Sequence, residues 1–136
     1  MEGNCRIASS TLRQMLNAAN AEPNREVCGL LAGHNGTISK VFAAHNALAS
    51  DARYEIDPPE ILKLIREIRA QNLEFLGIYH SHPNSDNAPS PTDVERAYYP
   101  EAVYFIISPK PDAPKPIRAF RIQDGNVTEL TTEEAS

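Results

Sequence analysis

Two histidines, His80 and His82, close the apolar run in "LGIYHSHPNSDNAPSPTD", with Ser81 between them. Side chains alternate along a strand, so the two imidazoles share one face and Ser81 takes the other. At that spacing both can reach one metal ion at ~2.0–2.1 Å. Pro83 then ends the strand, because it has no N–H to give to a ladder. A polar loop returns the chain to Ser90, Pro91, Thr92 and Asp93. With Asp93 as a third ligand, a zinc ion would keep its fourth position open for water. Open coordination belongs to catalytic zinc, whereas structural zinc is usually closed by four protein ligands.

Each of these residues has a plainer explanation. A histidine at a strand end is commonly solvated or simply hydrogen-bonded. Ser90-Pro91-Thr92-Asp93 is a good helix start, with a serine cap, a proline at the first position and an acid at the third. The metal and helix-cap readings are compatible, since a short helix held by its own cap aims Asp93 rigidly at the histidine pair.

The elements that must position these groups can be read along the chain. A first helix should begin at Ser9 or Ser10 as cap, with Leu12, Met15, Leu16 and Ala19 on its apolar face, and stop before Pro23. Strands are expected at 26–33 and 37–46, joined by the Asn35-Gly36 turn, and at 53–57. "DPPEILKLIREIRAQN" predicts a second helix with Asp57 as cap, Pro58 at its first position and Glu60 completing a capping box. Further strands fall at 74–80, 102–108, 117–123 and 126–131, the last two joined by Asp124-Gly125, and a short helix at 90–99. The sum is one α/β (α+β) domain over residues 1–136, with a mixed, mostly antiparallel sheet flanked by two main helices on opposite sides or ends.

Composition narrows the partners. The formal net charge of −5 and pI near 5.3 argue against a nucleic-acid-binding surface. No apolar run approaches the ~20 residues that span a bilayer, and "MEGNCRIASS" lacks the apolar core of a secretory signal, so a cytoplasmic location is expected. In a reducing compartment Cys5 and Cys28 should be free.

His80-x-His82, seven residues, then Ser90-x-x-Asp93 resembles the signature of the JAMM (MPN+, Mov34/PAD-1) zinc metallopeptidases. The resemblance extends to "REVCGLLAG", "RYEIDPPE", "LGIYHSHP" and "YFIIS", and so covers nearly the whole chain. The family places a glutamate at the start of an upstream strand, and Glu26 occupies that place here. Eukaryotic deubiquitinating relatives often carry a tryptophan in the loop after the second histidine, and insertions near the site. This chain has no Trp and only a short run from Asp93 to Ala102, as in the small stand-alone prokaryotic members.

The resemblance implies a cytidine-deaminase-like fold, with zinc held by His80, His82 and Asp93. It also implies that Glu26 is the general base and Ser90 the donor to the oxyanion. Taken alone, Glu26 would be an exposed acid at a strand start. His34 and His45 match nothing in the motif and are expected on the surface. The implied reaction is hydrolysis after the C-terminal Gly-Gly of a ubiquitin-like or sulfur-carrier protein, releasing a bound cysteine or a C-terminal extension. The alternatives are a deubiquitinase-type isopeptidase and a non-catalytic scaffold. A zinc deaminase is excluded, because neither His-x-Glu nor Pro-Cys-x-x-Cys is present.

Overall fold

The computed structural model describes residues 3–135. The order is β1 (Asn4–Ala8), α1 (Ser9–Ala21), β2 (Cys28–His34), β3 (Thr37–Ala44), α2 (Pro58–Ala70), β4 (Glu74–Ser81), α3 (Pro91–Glu95), β5 (Val103–Ile107), β6 (Ile117–Gln123) and β7 (Asn126–Ala135). The strands close into a barrel in the order β1-β3-β2-β4-β5-β6-β7. Pairings β2–β3, β2–β4, β5–β6 and β6–β7 are antiparallel, while β4–β5 and both pairings of β1 are parallel. The expected mixed α+β class is borne out.

Closure comes from β1, which the sequence reading did not anticipate. Its buried residues are Cys5 and Ile7, and it pairs with β3 at Thr37 and Ile38 and with β7 from Thr131 to Ala135. Both expected hairpin turns form with the left-handed backbone that such turns require, φ 53 and 78 at Asn35 and Gly36 and φ 51 and 80 at Asp124 and Gly125.

The sheet separates two apolar clusters, each covered by one main helix. Met15 and Ala19 of α1 pack among Ile7, Leu31, Tyr79, Phe105 and Leu130. Leu64 and Ile68 of α2 pack on the opposite-facing set, including Leu30, Ile78, Tyr104 and Ile106. Cys5 belongs to the first cluster and Cys28 to the second, so the sheet itself keeps the two buried, free thiols apart. Burial pushes Cys5 up to about 11 and Cys28 up to about 12, which leaves both unreactive as thiols.

The Tyr79 ring of β4 can lie against β2 only because residue 29 is glycine. A Cβ there would sit 2.5 Å from Tyr79 Cε1 and 2.6 Å from the Phe42 carbonyl oxygen. The carbonyl belongs to the ladder and cannot yield. Gly29→Ala is therefore expected to cost ~1–3 kcal/mol of stability, read as a lower urea midpoint with unchanged slope.

Four local expectations are corrected. Residues 53–57 join no strand pairing; they run extended, with Tyr54 half-buried and Ile56 buried. The N-cap of α1 is Ala8, with no side-chain cap bond, in place of Ser9 or Ser10. Asp57 caps α2 by position, but its side chain makes no cap bond, and the Glu60 carboxylate instead accepts from the His45 backbone N–H. The helix expected over 90–99 is only Pro91–Glu95, because Arg96 takes a non-helical backbone. No helix among the described residues is long and apolar enough to cross a membrane.

Candidate metal centre

The C-terminal end of β4 delivers the histidine pair. His80 lies opposite Cys28 on β2 and Ile106 on β5, and the His82 N–H donates to the Ile107 carbonyl at 2.8 Å, so both rings stand on ordered backbone. Ser81, facing the other way, accepts from the Val27 N–H at 2.9 Å, while its own N–H donates to the Val27 carbonyl at 3.0 Å. This double bond pins the residue next to Glu26 against the histidine strand. The Glu26 carboxylate and the two imidazoles consequently have ligand atoms within 4.8 Å of one another.

Asp93 comes from α3, and its capping box forms as expected. The Ser90 Oγ accepts from the Asp93 N–H at 3.0 Å, and Asp93 Oδ2 accepts from the Ser90 N–H at 2.9 Å. The same Oδ2 lies 3.0 Å from His82 Nε2 and 3.2 Å from His80 Nε2, and those two nitrogens are 3.1 Å apart. The cap and the aimed carboxylate are one arrangement. The structure thus brings His80, His82, Asp93, Glu26 and Ser90 together, while His34 and His45 lie exposed, as expected.

This triangle fits a metal on its own geometry. Ligands placed tetrahedrally around zinc at ~2.0–2.1 Å are roughly 3.3 Å apart, close to all three observed edges. Asp93 Oδ2 can accept from both rings only if both Nε2 atoms carry protons, and these then confront each other across 3.1 Å. A dication at the centre lets all three atoms act as lone-pair donors. Two imidazoles and a carboxylate are a donor set that suits zinc.

The surroundings complete the site. His82 Nδ1 donates to the Asp86 carbonyl at 2.7 Å, which leaves Nε2 to face the shared point. Burial alone would raise Asp93, but hydrogen bonds from His80 and His82 hold it well below the usual carboxylate range. Burial lowers His80, and Asp93 only partly offsets it; in His82 the bonds to Asp93 and Asp86 outweigh burial, and its pKa is raised. Glu26 is only 3% exposed, and its Oε1 has no hydrogen-bond partner among the described residues. Burial, opposed by His82 and reinforced by Asp93 and Asp51, lifts it to about 7. It is not the exposed acid that its position alone suggests.

Three residues to which the sequence reading assigned no individual role hold this arrangement. Asn46 donates to the Glu26 carbonyl at 3.1 Å and the Arg53 carbonyl at 3.0 Å, and accepts from the Glu55 N–H at 3.1 Å. Buried Asn87 donates to the Lys115 carbonyl at 2.7 Å and ties the loop after His82 to the β5–β6 connection. Tyr54 stacks on His80. In the loop after His82, Asn84 donates to Asp51 at 2.9 Å. A groove of about 470 Å³ beside Asp93 is lined by Leu30, Ile56, Ile78, Tyr54 and Tyr99. The Arg96–Glu55 ion pair at 3.1 Å lies on its rim.

The family model for prokaryotic homologs of the JAB domain matches residues 8–123. The chain belongs to this family. This prokaryotic JAB-domain chain is 42% identical to a desampylase of Haloferax volcanii over 104 residues, 74% of each chain. It is 34% identical to the CysO-cysteine peptidase of Mycobacterium tuberculosis over 125 residues, 90% of this chain and 86% of the other. The solution structure of a Desulfitobacterium hafniense protein superimposes on it with a TM-score of 0.84 at 29% identity, covering 97% of this chain and 93% of that one. The resemblance drawn from the sequence, and the peptidase character that came with it, are borne out for this JAB-domain chain.

Proposed function

We propose that this protein is a zinc metallopeptidase that hydrolyses the peptide or isopeptide bond after the C-terminal Gly-Gly of a ubiquitin-like or sulfur-carrier protein in the cytoplasm. The product would be the carrier freed of a bound cysteine or of a C-terminal extension. The observation that carries this reading is the triangle of His80, His82 and Asp93, with edges of 3.0–3.2 Å, and beside it the Glu26 carboxylate, whose Oε1 has no partner among the described residues. The relatives named as desampylase and CysO-cysteine peptidase support the kind of substrate.

One zinc per chain, held by His80, His82 and Asp93, would supply a Lewis acid that shifts the pKa of water from ~15.7 toward ~7. The remaining work falls to the protein. Glu26, buried beside the two imidazoles, can take a proton from the attacking water and return it to the leaving amine. Ser90 Oγ is already an acceptor for the Asp93 N–H, so its own hydroxyl proton is free to donate to the oxyanion. Gly-Gly suits such a site, because only glycine lets a backbone pass so close to the walls.

The test is a carrier protein extended beyond its Gly-Gly, incubated with the purified enzyme and followed by mass spectrometry. Cleavage after the second glycine is expected, stopped by a chelator and restored by zinc. Failure of the zinc-loaded protein to cut carriers bearing either a peptide extension or a terminal cysteine would remove the proposal.

A further inference from the structure

The two histidines are held in different ways. His82 is oriented through its far nitrogen, which donates to the Asp86 carbonyl at 2.7 Å. His80 has no such bond: its Nδ1 is buried and without a partner among the described residues. A metal-bound histidine is ordinarily fixed by a hydrogen bond at its other nitrogen. Here the ring is backed face-on by Tyr54, with centroids 4.4 Å apart and planes 22° from parallel.

Tyr54 is itself fixed by its chain neighbours. The Arg53 carbonyl accepts from the Asn46 side chain at 3.0 Å, the Glu55 N–H donates to it at 3.1 Å, and the Glu55 carbonyl accepts from the Ala47 N–H at 2.8 Å. The backbone on either side of Tyr54 is thereby tied to the residue that also holds the Glu26 carbonyl. The tyrosine ring packs against the second apolar cluster and forms a wall of the groove beside Asp93.

We propose that Tyr54 is a positioning residue for His80, its stacked ring replacing the hydrogen bond that would otherwise fix the orientation of a metal-binding imidazole. The proposal rests on the reading of His80 as a zinc ligand. It explains why the far nitrogen of His80 goes without a partner while that of His82 is bonded. It also explains why residues 53–57 run extended over the site without joining the sheet: their backbone bonds serve to place one ring.

The test compares the wild type with Tyr54→Leu, which keeps apolar bulk but removes the aromatic face, and with Tyr54→Phe, which keeps the face and removes only the hydroxyl. Zinc affinity is measured by competition with a chromophoric chelator, the cobalt-substituted absorption spectrum reports ligand geometry, and circular dichroism reports folding. Tyr54→Leu is expected to weaken zinc binding by about 10–100-fold and alter the cobalt spectrum, and Tyr54→Phe to restore both. Wild-type affinity and spectrum in Tyr54→Leu would overturn the proposal, and so would a Tyr54→Phe as weak as the leucine variant. A His80→Ala control separates the two levels. If it binds zinc like the wild type, the metal reading itself fails.

Discussion

Glu26→Gln should leave zinc bound and slow hydrolysis by ~10²–10⁴, the range that a positioned proton-transfer group contributes. The amide matches the carboxylate in size but cannot accept a proton and carry it to a leaving amine. The site offers no substitute in the same place: Asp93 is engaged by His80, His82 and the Ser90 N–H, and the Asp51 carboxylate accepts from Asn84. Because Glu26 also lies within 4.8 Å of both imidazoles, the variant distinguishes two roles. Wild-type zinc content with lost turnover identifies a proton carrier. Loss of zinc would make Glu26 a ligand, and retained turnover would remove it from the mechanism.

Asp93→Ala should abolish stable zinc binding, with metal content falling from about one per chain toward none under elemental analysis. The loss should exceed the ~10–100-fold that removal of an outer hydrogen-bond partner costs, since the proposed role of Asp93 is that of a direct ligand. Two Nε2 atoms 3.1 Å apart would then face the metal without a compensating carboxylate. The same substitution removes the side chain that accepts from the Ser90 N–H, for which ~1 kcal/mol of stability is expected. Asp93→Asn separates the effects: it keeps an oxygen for the Ser90 N–H but gives up the charge. Zinc binding unchanged in Asp93→Ala would mean that the aspartate serves only as a cap.

Most of the centre was legible because its parts are local. His80 and His82 share a strand face by alternation, and Ser90 and Asp93 sit in a capping box that can be read over four residues. What escaped depends on contacts between distant segments or on backbone atoms. β1 is five residues long, and most of its ladder is supplied by β7 more than a hundred positions later. Residues 53–57 alternate like a strand, but their bonding groups are claimed by Asn46, so they pair with a side chain and not with a neighbour in the sheet. Glu60 stands where a capping box needs it, yet His45, brought close by the fold, takes its carboxylate. The Asp86 carbonyl that orients His82 is invisible to any pattern of side chains.

The placement of β1 between β3 and β7 has a consequence for the order of assembly. Every residue of the centre lies between Glu26 and Asp93, and the strands that carry or flank it, β2 to β5, are complete by Ile107. The ring, however, cannot shut until β7 is available, when the Thr131 N–H reaches the Gly3 carbonyl at 2.7 Å. During synthesis β1 must wait with one edge bare while most of the chain emerges. Contacts of such long sequence separation slow folding and leave strand edges open to pairing with other chains. The nascent protein is thus most exposed to misassociation when the segments that carry His80, His82 and Asp93 have already been made.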